Sequence, residues 1–165
     1  MSDKDKIPEG FTLQMAIMDA LPVIFFTIGV SLIALKFKSL LFFIGSFLII
    51  TAGLLKVLWK VIIAVNKKNI RILNIQLRYL MPTGFLLVII SLFIYPDKSK
   101  YNMILPAILK MPQLLLFIIT FIGMVLMSIF ANVYDKNDPK ANWIEQTTNL
   151  MAQLAFMLGI IFTVI

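Results

Sequence analysis

The sequence predicts an all-α fold, a polytopic integral membrane helix bundle of about five transmembrane helices with a basic amphipathic interfacial segment between the second and third. Three observations predict it. The 165-residue chain is 61% hydrophobic and only 14% charged, with a mean hydropathy of +0.97, whereas a water-soluble domain carries roughly a quarter charged residues. Its charges leave five long uncharged runs, at 20–35, 39–55, 79–96, 111–134 and 146–165, and about 20 helical residues cross the hydrocarbon layer. The connections between the runs are too short for an extramembrane domain. The chain therefore reads as a single transmembrane domain, 1–165, with spans at approximately 13–35, 39–60, 77–96, 112–134 and 146–165.

The first ten residues mix both charge signs and precede no small-residue cleavage site, which argues against a removable signal peptide. The first span begins near Leu13 and carries Asp19 about six residues, or about 9 Å, inside it. An ionisable group near a bilayer centre costs roughly 2.5–3.5 kcal/mol, less toward the interface, so Asp19 needs a partner, a proton or a water-filled cavity. Pro22, three residues on, leaves the Met18 carbonyl without its helix donor. A cation or proton site beside that carbonyl and a structural pair between Asp19 and Arg78 are both open readings.

The short connection 36–39 forces an antiparallel hairpin with the second span. There Gly45, Ser46, Ala52 and Gly53 recur at helical spacing and form a small edge that lets another helix approach closely. From Lys56 to Arg78 the chain holds six cations and no acid. Lys67, Arg71, Asn74 and Arg78 share one helical face, with Ile70, Leu73, Leu77 and Leu80 on another, the pattern of a basic amphipathic helix lying along the membrane surface. Trp59 and Tyr79 bracket it as interfacial aromatics. Lys56, Lys60, Lys67, Lys68 and Arg71 are candidate contacts to anionic lipid headgroups; the alternative is an orientation signal with snorkelling side chains.

The third span opens with Met81, Pro82, Thr83 and Gly84, a kink signal. The stretch 101–109 is apolar but too short to cross, so it should lie at the interface, separated from the fourth span by Pro106 and Pro112. The last connection, 135–140, is turn chemistry; its two aspartates lack the distal glutamate of a calcium loop. In the fifth span Glu145, Asn149 and Gln153 stand at i, i+4 and i+8, a polar stripe along one side.

With five spans, the N-terminus and the second and fourth connections share one side, and ten of the fifteen cations fall there. The positive-inside rule then places the N-terminus inside and the C-terminus outside a cytoplasmic membrane, and the Ile-, Lys-, Phe- and Asn-rich composition suggests a bacterial one. In that topology Asp19, Arg78, Glu145, Asn149 and Gln153 enter from the cytoplasmic face on three helices and can converge at one level. This is the candidate substrate-binding cluster.

The chain has no cysteine and no histidine. Disulfides, thiolate nucleophiles, iron–sulfur clusters, His-ligated haem and a His general base are therefore excluded. No metal site or cofactor is expected, no P-loop or dinucleotide fingerprint is present, and a net charge of +7 on so apolar a chain signals membrane orientation, not nucleic-acid binding. The function expected is a small transporter, or a substrate-binding membrane subunit of one, acting as a homo-oligomer or with other membrane subunits. The alternatives are a non-catalytic assembly or immunity protein, whose polar residues only join helices, and a lipid-modifying enzyme using Asp19 and Glu145 as acid and base.

Overall fold

The computed structural model describes residues 12–94, 98–134 and 139–164. The N-terminal segment 1–10 and the turn at 135–138, both read above from sequence, lie outside the described residues. Every element is a helix: α1 (Leu13–Phe37), α2 (Leu40–Asn66), α3 (Arg71–Ile75), α4 (Leu77–Ile94), α5 (Lys98–Ile108), α6 (Gln113–Val133) and α7 (Pro139–Val164). Five stretches are long and apolar enough to cross a membrane: α1, α2, the pair α3–α4, α6 and α7.

Local chemistry sets the first hairpin. Lys38 adopts a left-handed conformation (φ 50°) and its N–H closes α1 on the Ala34 carbonyl; the Ser39 side chain then accepts from the Phe42 N–H to start α2. One left-handed residue and one N-cap reverse the chain. Lys67 (φ 51°) ends α2 in the same way, which is why the basic stretch is not one amphipathic surface helix. Lys56 and Lys60 belong to α2, Lys67 and Lys68 to the connection, and Arg71 and Arg78 to the third span. That span is nearly continuous through Gln76, whose N–H reaches the Ile72 carbonyl while its own carbonyl accepts from Leu80.

The spans stand in a row ordered α4, α2, α1, α7, α6, each packed on the next, with α4 and α6 at the two ends and not packed as a pair. Registers follow from the closest approaches. Gly45 of α2 lies against Gly84 of α4, Gly53 of α2 against Val23 of α1, Gly29 of α1 against Phe156 of α7, and Gly123 of α6 against Ala152 of α7. The small edge of α2 is thus shared by two neighbours, α4 at Gly45 and α1 at Gly53. Interhelical polar contacts add to this packing: Thr120 Oγ1 donates to the Ala152 carbonyl (3.3 Å), Gln113 Nε2 to the Phe162 carbonyl (2.9 Å) and Gln76 Nε2 to the Ala52 carbonyl (3.1 Å).

The Gln76 contact fixes the depth of the third span. Ala52 lies fourteen residues before the end of α2 at Asn66, about 21 Å along the helix at 1.5 Å per residue. The chain therefore doubles back along α2 after Lys67, tied on the way by Trp59 Nε1 donating to Asn69 Oδ1 (3.0 Å). The start of α4 is deep in the bundle.

Candidate functional site: a lateral cavity with a charged end

The bent row of helices encloses a cavity of about 690 Å³ between α4 and α6, backed by α1, α2 and α7 and bordered by α5. Its walls are built by single helix faces. On α1 these are Pro22, Phe26, Val30, Ile33 and Phe37; on α4, Met81, Phe85, Val88 and Leu92; on α7, Asn149, Gln153, Phe156 and Ile160. Each set advances by three or four residues, so each is one stripe of its helix. Most of the wall is apolar, and Met81, Met124 and Met127 give it adaptable surface.

The side on which α1 and α7 begin, here the N-terminal side, carries the charges. Continuing the α1 stripe from Pro22 by one turn reaches Asp19; continuing the α2 stripe of Phe42, Ile49 and Gly53 reaches Lys60. These two meet in a salt bridge of 2.8 Å, with side chains 12% and 10% exposed. Lys60 is therefore not among the lipid-facing cations where the sequence reading put it, and the partner of Asp19 is not Arg78. The reason is register: the α1–α2 hairpin brings Lys60 opposite Asp19, while Gln76 holds the start of α4 level with Ala52, further along the bundle. Glu145 is half-buried on α7.

The remaining residues of the predicted cluster fall as follows. Asn149 and Gln153 line the cavity directly. Arg78 is exposed and, among the described residues, has no carboxylate within salt-bridge range. It is not one of the residues lining the cavity, but it precedes Met81 by three residues and Phe85 by seven, the helical spacing of the α4 lining stripe. Lys67, Lys68 and Arg71 are exposed, while Lys56 is half-buried.

Sequence reasoning missed Gln146. It is 4% exposed, and among the described residues neither its amide nitrogen nor its amide oxygen has a partner. A buried amide left unpaired is costly. Gln146 stands three residues before Asn149 and seven before Gln153, spacing that would have placed it beside the polar stripe had the stripe not been counted from Glu145.

No protein-family model, no curated protein and no solved structure matches this chain. Its function rests on the geometry alone.

Chemically, the arrangement can hold a largely apolar molecule sideways from the membrane and meet its polar part with amides and charge. Among the described residues no group of three or more potential metal ligands exists. The pairing of Asp19 with Lys60 also gives the acid a structural role independent of any reaction.

Proposed function

We propose that the protein is a small integral membrane carrier, or the substrate-binding subunit of one, which takes an amphiphilic solute into the cavity between α4 and α6. The observation that carries this reading is the cavity itself: its volume of about 690 Å³ falls within the roughly 300–1,000 Å³ of small-molecule sites, which are mostly apolar with a few placed polar groups. Asn149 and Gln153 supply those polar groups. Their amides spend no hydrogen bond on another helix among the described residues, unlike Thr120, Gln113 and Gln76. The latter three favour the competing reading of an assembly subunit held together by polar contacts; the two cavity amides favour a ligand.

Cavity filling tests the proposal. Met124 lines the cavity at its open edge and is 51% exposed, so Met124→Trp adds bulk without disturbing a buried contact. Wild-type protein purified in mild detergent should carry an amphiphile, identified by mass spectrometry of the extract, and Met124→Trp should lose most of it while melting at an unchanged temperature. Equal retention by the two proteins, or no small molecule in either, would sink the carrier reading.

The proposed orientation has the N-terminus and the charged end of the cavity on the cytoplasmic side, as the excess of cations on that side favours even with Lys60 and Arg78 set aside. A reporter fused at Met1 should be protected in intact cells and one fused after Ile165 accessible. Both termini on one side would require an even number of crossings.

A further inference from the structure

Arg78 stands where an arginine is expensive. Two residues before it, Gln76 reaches the Ala52 carbonyl well inside α2, so Arg78 lies within the length of chain that α2 carries through the membrane. Its side chain is exposed, and on the outside of a membrane bundle that means facing lipid or the open side of the cavity. A cation at such a depth needs an anion or water. Asp19, the acid that could have compensated it, is taken by Lys60 at 2.8 Å.

The same residue stands on the stripe that lines the cavity. Residues 78, 81, 85, 88 and 92 follow one another at helical spacing, and the last four are cavity wall. Because α4 and α6 do not pack as a pair among the described residues, the cavity is open between them, and Arg78 stands one turn before its first α4 wall residue, Met81. Across the cavity, Asn149 and Gln153 present amides that can donate to an oxyanion.

We propose that the solute is a single-chain anionic amphiphile, whose acid group is held by Arg78 at the lateral opening and whose hydrocarbon chain fills the apolar cavity. This rests on the carrier reading and adds the charge of the headgroup and its place. A guanidinium suits a carboxylate or phosphate because it offers a planar pair of donors. Among the lining residues themselves the cation is Lys36, but it is exposed in the last turn of α1, where the interface solvates it. Arg78 lacks that solvation, and this decides between the two.

The test uses the full chain in a non-ionic detergent, with hexadecanoate and hexadecanol as probes, binding being read by native mass spectrometry. Wild type should prefer hexadecanoate about tenfold or more, the scale of one charge-assisted hydrogen-bonded contact. Arg78→Gln should abolish that preference and leave hexadecanol binding intact, which also shows that the variant is folded; Arg78→Lys should keep part of it. Equal binding of the two probes by wild type overturns the proposal but leaves the carrier reading standing. So does a preference that disappears in Lys36→Gln instead of Arg78→Gln, or a preference for two-chain phosphatidylglycerol over hexadecanoate. Binding of neither probe overturns the carrier reading with it.

Discussion

Gly84→Leu is expected to detach α4 from the bundle. A Cβ at position 84 would stand 2.6 Å from Ile49 Cγ1, 2.7 Å from the Gly45 carbonyl oxygen and 3.1 Å from the Ile49 nitrogen. Two of those atoms are backbone of α2 and cannot rotate away. The reciprocal position is as tight, with a Cβ on Gly45 falling 2.7 Å from the Gly84 carbonyl and 2.9 Å from the Val88 nitrogen. Overpacking of a rigid site typically costs about 1–3 kcal/mol and occasionally more. Among the spans α4 packs chiefly on α2, so widening that one interface removes most of what holds it. Gly84→Leu should lower the melting temperature of the detergent-solubilised protein more than a control, Gly53→Ala, where the nearest atoms to the added Cβ are the two Val23 methyl groups at 3.2–3.3 Å. A Gly84→Leu protein that melts with wild type would mean the α2–α4 approach is not as close as described. Loss of α4 would also remove one wall of the cavity, so ligand retention should fall with it.

The second large effect concerns the ion pair. Asp19→Leu leaves Lys60 in the bundle without its 2.8 Å partner, and Lys60→Leu does the same to Asp19. Breaking one side of a buried pair typically costs about 3–5 kcal/mol, whereas replacing both with apolar residues is often nearly neutral. The double variant Asp19→Leu with Lys60→Leu should therefore melt above either single variant. Combining Asp19→Leu with Arg78→Leu should give no such rescue, because Arg78 is exposed and does not pair with Asp19. Rescue by Arg78→Leu and not by Lys60→Leu would restore the pairing that the sequence suggested. A stable double variant that still retains the co-purified amphiphile would show that the pair serves the fold, and that recognition lies with Arg78, Asn149 and Gln153.

Much of this site was legible as residues, less as partners. Asn149 and Gln153 could be assigned to one face because α7 is regular, and a regular helix converts spacing into direction. Asp19 could be recognised as needing a partner because its burial in an apolar run is costly whichever neighbour it meets. Lys60 could not be recognised as that partner, since it belongs to a run of six cations that reads as one surface feature. Lys67, in the αL conformation that residues other than glycine and asparagine rarely adopt, splits that run into two cations on α2, half-buried Lys56 and buried Lys60, and the exposed Lys67, Lys68, Arg71 and Arg78. Gln146 was hidden for a related reason: burial of an amide depends on which helices flank it, and α7 is flanked by α1 and α6 only in the folded bundle.

The helical membrane class, the count of helices long and apolar enough to cross, the α1–α2 hairpin and the close-packing edge of α2 are readable along the chain. These follow from hydropathy, turn chemistry and residue size, all of which act over a few neighbouring residues. Helix packing alone makes α4 return along α2 to the level of Ala52, puts α4 and α6 at the ends of the row with a cavity between them, and brings Lys60 instead of Arg78 to Asp19. Those depend on the order and relative sliding of helices. In a membrane, where lipid tails solvate apolar side chains as well as a neighbouring helix does, order and sliding are set by contacts such as Gly45 on Gly84 and Gln76 on Ala52, between residues 24 or more positions apart in the chain.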